Sequence, residues 1–173
     1  MNQKKSLKTN SPLKRKTPLR ANAKDKSKFE VTEIRTKKRS ASRQTVMRKA
    51  DDAFSMFIRT RDAQAFEGRA FRCISCGRVL SIDQADCGHY VNRQHMSLRF
   101  SELNCHAQCR KCNRFMEGNI QDYRKGLIGK IGEQKVLLLE STKHFTNKIS
   151  AFELDLIAKH YKDETKKFQY QIK

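Results

Sequence analysis

Two Cys-x-x-Cys pairs, Cys73/Cys76 in "CISC" and Cys109/Cys112 in "CRKC", carry the plainest chemistry of this chain. Each pair presents two thiolates from one tight turn, and two such turns complete a tetrahedral sulfur site for Zn²⁺. Gly77 directly follows the first pair and suits its sharp turn. Four thiolates close the coordination sphere and leave no position for water, so the ion is expected to be structural. Structural zinc peptides gain about 10–16 kcal/mol from the metal, enough to offset a weak core. Between the pairs stand Asp86, His89, Glu102, Asn104 and His106, and Asn113 follows the last cysteine. A bare zinc ribbon has no need of that polar set. Cys87 and Cys105 belong to neither pair and read as buried free thiols.

The elements that must position these residues are short. Val46, Ala50, Ala53, Phe54, Phe57 and Ile58 recur at three- and four-residue steps, which predicts a helix with one apolar face and Ser42 near its cap. Residues 71–116 are loop-rich, with short strands expected near Gln84–Val91 and Leu98–Ala107. "GNIQDYRKGLIG" reads as a helix stopping near Gly129, and "GEQKVLLLEST" as another. The three glycines of "GLIGKIG" lack the strand–loop–helix setting of a phosphate loop and read as helix ends. "SAFE" (150–153) is a capping box with Ser150 as N-cap and Glu153 at N3. It opens a last helix carrying Phe152, Leu156 and Ile157, expected to fray into a polar tail beyond Tyr161. The fold class is α+β, organised as a basic arm (1–42), a zinc-containing domain with flanking helices (43–145), and a C-terminal helix and tail (146–173).

The charge is uneven. The formal net charge is +20, and residues 1–50 hold 17 Lys/Arg against 3 Asp/Glu. An arm so poor in apolar residues cannot offset its ordering entropy and is expected to be disordered. Polyanions are its natural partner. "SPLK" (11–14) and "TPLR" (17–20) repeat a Ser/Thr-Pro-Leu-basic unit suited to lying along phosphates, so Lys14, Arg15, Lys16 and Arg20 are candidate DNA contacts. No apolar stretch reaches the roughly 18 residues of a membrane span. The first residues carry charge without an apolar segment, so the expectation is a cytoplasmic protein with reduced cysteines and no membrane partner.

Taken together, "CISCG" (73–77), "DCGHY" (86–90), "LRFSELNCHAQCRKCN" (98–113) and "EGN" (117–119) resemble the NinG/Rap recombination endonucleases of lambdoid phages. The likeness runs on through Tyr123 and "IGEQKV" and back to "FIRTRD" (57–62). That family is similar to the wider HNH, or ββα-metal, nucleases, in which a hairpin and a helix enclose one catalytic divalent ion. The resemblance therefore implies a small zinc-stapled HNH-like core, encoded by a phage or prophage. It gives His89 the general-base position, where an imidazole of pKa near 6.5 can take a proton from water. It gives Asn104 the middle position, which steadies the hairpin. Asn113 takes the place of a catalytic-metal ligand, fixed by its zinc-bound neighbour Cys112. Asp86 is the expected second ligand of Mg²⁺ or Mn²⁺, because a hard ion prefers carboxylate oxygen. The commoner pattern has Asp directly before His. Here Gly88 stands there, and a bulge at Gly88 would accommodate the difference. Glu102 and His106 also match, with their roles open.

The activity implied is Mg²⁺-assisted phosphodiester hydrolysis in branched DNA, such as Holliday junctions or D-loops. Arg93 and Arg99, beside the expected hairpin loop, are candidates for gripping the backbone. Symmetric cutting of a junction would need two active sites and hence a homodimer. Two other readings compete: a non-catalytic zinc-ribbon nucleic-acid binder, and an HNH nuclease with sequence specificity.

Overall fold

The structure, a computed structural model, describes residues 41–170. Lys14, Arg15, Lys16 and Arg20, with most of the predicted arm, lie outside the described residues. Helix α1 (Arg43–Asp62) starts where Ser42 Oγ accepts from the Thr45 amide at 3.2 Å. Its buried residues are the predicted six: Val46, Ala50, Ala53, Phe54, Phe57 and Ile58. They pack against the last helix, which runs from Ala151 to Tyr170. Ser150 opens that helix through the predicted box: its amide donates to Glu153 Oε2 (2.7 Å) and its hydroxyl accepts from the Glu153 amide (3.2 Å).

The buried face of this last helix differs from the expectation. Leu154, Ala158, Tyr161 and Thr165 are buried and Ile157 is half-buried against the same core, whereas Phe152 is 72% and Leu156 49% exposed. Both stripes are helical in spacing, and contact with α1 selects one. Tyr161 stacks on Phe54 and Phe57 with ring centroids 4.8 and 4.9 Å apart. Nor does the helix fray at Tyr161: Phe168 reaches Phe57 at 5.8 Å, so aromatic packing carries it another two turns.

In chain order two small antiparallel sheets come between these helices. Strands β1 (Ala70–Arg72) and β2 (Val79–Ser81) flank the first cysteine pair. Strands β3 (Ala85–His89) and β4 (Cys105–Cys109) pair so that Ala85 faces Cys109 and His89 faces Cys105. The second strand starts later than expected, because Leu98–Asn104 forms turns pinned by the Asn104 side chain. Fully buried, that amide donates to the Val91 and Leu98 carbonyls (2.9 and 3.1 Å) and accepts from the Val91 N–H (2.7 Å).

The ladder of β3 on β4 is continuous, so Gly88 makes no bulge. It is instead a close approach: a Cβ there would collide with the Gln108 side chain. After β4 come a π-helical turn (Lys111–Phe115), α2 (Ile120–Ile131) and α3 (Glu133–Thr142). Gly132, at φ +86°, separates α2 from α3, three residues beyond the expected stop at Gly129. We number the C-terminal helix α4. Buried Tyr123 of α2 clamps the hairpin: its hydroxyl donates to the Gly88 carbonyl and accepts from the His106 amide, both at 2.9 Å. The fold is thus α+β. Among the described residues no helix is long and apolar enough to cross a membrane.

Candidate functional site

Cys73, Cys76, Cys109 and Cys112 converge, their sulfurs within 4.8 Å of one another. Cys76 and Cys109, from different pairs, stand 3.9 Å apart. Zinc–sulfur bonds of about 2.3 Å require sulfurs about 3.8 Å apart in a tetrahedron, so the group could hold an ion such as zinc. The first pair sits in the turn between β1 and β2, the second at the exit of β4. Burial pushes the Cys73 thiol up and the Cys112 thiol to about 12. Burial also raises Cys76, but the Arg78 guanidinium outweighs it and brings that thiol down to about 6. Among the described residues the buried apolar partners of the sulfurs are Phe71, Ala85 and Ala107, with Leu80 and Ile82 half-buried beside them, a small core that a bound ion would reinforce.

His89 closes β3 beside an open cavity of about 760 Å³ that Asp52, Cys87, Asn92, Arg93, Asn113 and Glu117 help to line. Its Nε2 lies 3.2 Å from the Arg99 carbonyl oxygen. A carbonyl only accepts, so the neutral ring carries its proton on Nε2 and keeps a lone pair on Nδ1. Burial lowers the His89 pKa from its ordinary value, outweighing the Arg99 and Cys87 carbonyls, which favour the charged ring. The imidazole is therefore neutral at pH 7.

Asp86 and Asn113 are brought together, with Asn113 Nδ2 donating to Asp86 Oδ2 at 3.1 Å. Arg114 holds the same carboxylate through both oxygens, at 2.7 and 2.6 Å. Burial raises the Asp86 pKa and Arg114, with Asn113, more than reverses it, so the carboxylate stays ionised below its usual range. Strand alternation turns Asp86 and Gly88 to one face and Cys87 and His89 to the other. Oxygen donors suited to Mg²⁺ are present, but a guanidinium occupies both carboxylate oxygens. As arranged, Asp86 and Asn113 do not fit a divalent ion.

The candidate DNA contacts separate. Arg93 is exposed on the cavity rim. Arg99 is instead committed to Asp51 of α1 through two bonds, at 2.8 and 2.6 Å, and ties the loop after β3 to that helix. Glu102 lies 3.6 Å from Arg61. His106 joins a buried network at the end of α1, its Nδ1 2.8 Å from Arg61 Nη2 and 3.4 Å from Asp62. Asp62 also accepts from the Ala107 amide (2.7 Å) and Lys130 (3.0 Å). Burial pushes the Asp62 pKa up, yet His106, Arg61 and Lys130 together hold it well below the usual carboxylate range. Both residues thus serve the framework joining α1 to β4.

One grouping escaped the sequence reading. Cys87, His89 and Cys105 bring a donor atom each within 4.8 Å of one another. The signal was present as Cys87-x-His89, two positions on one strand face, but the cross-strand partner Cys105 is fixed only by the register.

The model of one family, the bacteriophage lambda NinG protein, matches residues 1–170. The chain is 38% identical over 117 residues to "Protein ninG" of Escherichia phage 933W, covering 67% of this chain and 53% of that protein. It is 37% identical over 121 residues to "Protein ninG" of Escherichia phage lambda, covering 69% and 55%. "Protein ninG" of Salmonella phage P22 is likewise 37% identical over 121 residues, covering 69% and 56%. The chain spans about half the length of these curated relatives. No solved structure matches it.

Proposed function

The chain belongs to the bacteriophage lambda NinG family, and on that premise we propose that it is a structure-selective DNA endonuclease that hydrolyses phosphodiester bonds in branched DNA during phage recombination. The observation that carries this reading is His89: a neutral imidazole in the wall of an open cavity, on a strand secured at both ends. At one end Ala85 pairs with Cys109 of the sulfur cluster, and at the other Asn104 fixes the chain at Val91. Such anchorage keeps a base within the fraction of an ångström that proton transfer requires.

In the proposed reaction His89 Nδ1 removes a proton from a water in the cavity, and the hydroxide formed attacks phosphorus. The bond from phosphorus to the 3′ oxygen breaks, and the leaving oxygen takes a proton from solvent. Arg93 on the rim meets the phosphate backbone. Arg114, held by Asp86 on the strand face opposite His89, does not line the cavity and takes no part in this step. The resemblance to HNH nucleases assigns Mg²⁺ or Mn²⁺ to this chemistry. With both Asp86 oxygens taken by Arg114, proton transfer at His89 and the positive charge of Arg93 are what the chain itself contributes.

The test is cleavage of synthetic four-way, D-loop and linear DNA, with and without Mg²⁺, by the full chain and by His89→Ala. The substitution should lower the rate about 10²–10⁴-fold while DNA binding persists. A wild-type protein that binds but never cuts would make this a zinc-ribbon binding protein instead. Equal, sequence-dependent cutting of linear DNA would remove the preference for branches.

A further inference from the structure

We propose that Cys87, His89 and Cys105 form a second binding site for a soft or borderline transition ion of the Zn²⁺ type, distinct from the four-cysteine cluster. The three donors come from facing strands: Cys87 and His89 share one face of β3, and Cys105 stands directly opposite His89 on β4. Their donor atoms lie within 4.8 Å of one another, the same limit that the four-cysteine group meets. Bonds of about 2.3 Å to sulfur and 2.0–2.1 Å to nitrogen call for ligand separations of about 3.5–3.8 Å, within reach of small side-chain rotations.

The second contact of the imidazole supports the assignment. A metal-binding histidine usually donates its other N–H to a carbonyl, which fixes ring and tautomer. His89 does so through Nε2 to Arg99, leaving Nδ1 for the ion. The surroundings set the coordination number. Cys105 is fully buried behind the group, while Cys87 and His89 border the cavity. Three protein ligands and one position open to solvent is the arrangement of an exchangeable ion rather than a structural one. Two thiolates and an imidazole select zinc-like ions and disfavour Mg²⁺, which prefers oxygen donors.

Binding here stands independently of the cleavage reading, but its consequence rests on it. An ion on His89 occupies the lone pair that would accept the proton, so loading this site switches the base off.

Titration of the reduced protein, residues 1–173, with Co²⁺ tests the site, because thiolate-bound cobalt absorbs strongly. Wild type should take up two equivalents with thiolate-to-cobalt absorption. Cys87→Ser and His89→Ala should each lose the second equivalent and keep the first, with unchanged circular dichroism. Saturation of the wild type at one equivalent, or retention of the second by both variants, overturns the proposal. In parallel, cleavage by wild type should be lost as Zn²⁺ fills the second site, and Cys87→Ser should resist that loss relative to its own rate without added zinc. Equal inhibition of both overturns the switching consequence. Should neither protein cut DNA at all, the nuclease reading fails while the cobalt titration still decides the site.

Discussion

His89 and Asp86 sit three residues apart on one strand, and alternation gives them different work. His89 faces the cavity and is held neutral by burial; Asp86 faces Arg114 and is held ionised by it. A base acts only when deprotonated, and burial shifts this imidazole below 6.5 by disfavouring its cation. The cleavage rate should therefore rise with pH through a midpoint below 6.5 and be flat at neutrality; a midpoint above 7 in the pH–rate profile would exclude His89 as the titrating base. Asp86 makes a separate prediction. Removing its guanidinium partner by Arg114→Ala frees both oxygens next to Asn113. If this carboxylate is the hard-ion ligand, Mn²⁺ binding measured by electron paramagnetic resonance should strengthen in Arg114→Ala and vanish in Arg114→Ala with Asp86→Asn. Affinity equal to wild type would place any such ion away from Asp86.

At the scale of elements, the molecule has cores with different supports. The α1–α4 pair buries Phe54, Phe57, Ile58, Leu154 and Tyr161 and holds itself by aromatic packing. The region around the two Cys-x-x-Cys pairs buries Phe71 and two alanines besides its cysteines, so an ion held by the four sulfurs would be its main support. A strong chelator should accordingly melt β1 to β4 and the π-helical turn while much of the α1–α4 helical signal survives. Amide hydrogen exchange resolves the two, and uniform protection after chelation would contradict the assignment of zinc as a staple. This division also explains what the sequence disclosed. The face of α1, the capping box at Ser150 and the four cysteine ligands rest on local spacing, so they were legible. Strands of three residues such as β1 carry no periodicity, so they were not. Choosing Leu154 and Ala158 over Phe152 and Leu156 as the buried stripe of α4 needed the partner helix. The grouping of Cys87, His89 and Cys105 needed a register that no single strand encodes.

At the scale of the whole molecule, charge decides how DNA is met. The cavity wall near His89 presents Arg93 on its rim, while Arg99, the other arginine expected to face DNA, is neutralised by Asp51. So few cations around the site make a poor grip on a polyanion, yet the chain carries +20 overall and concentrates 17 Lys/Arg against 3 Asp/Glu in residues 1–50. Affinity should therefore come mainly from that segment, and positioning from the site within residues 41–170. Contact with about 6–10 phosphates would lower affinity on the order of 10³–10⁵-fold between 50 and 200 mM salt, through release of condensed counterions. A protein beginning at residue 41 should show a markedly shallower salt slope. Its cleavage chemistry at saturating DNA should persist, because His89 and the elements that hold it all lie within residues 41–170. An unchanged slope in fluorescence-anisotropy titrations would move the electrostatic contact onto the folded surface, where Arg93, Arg110, Lys111 and Arg114 would then be the cations to substitute.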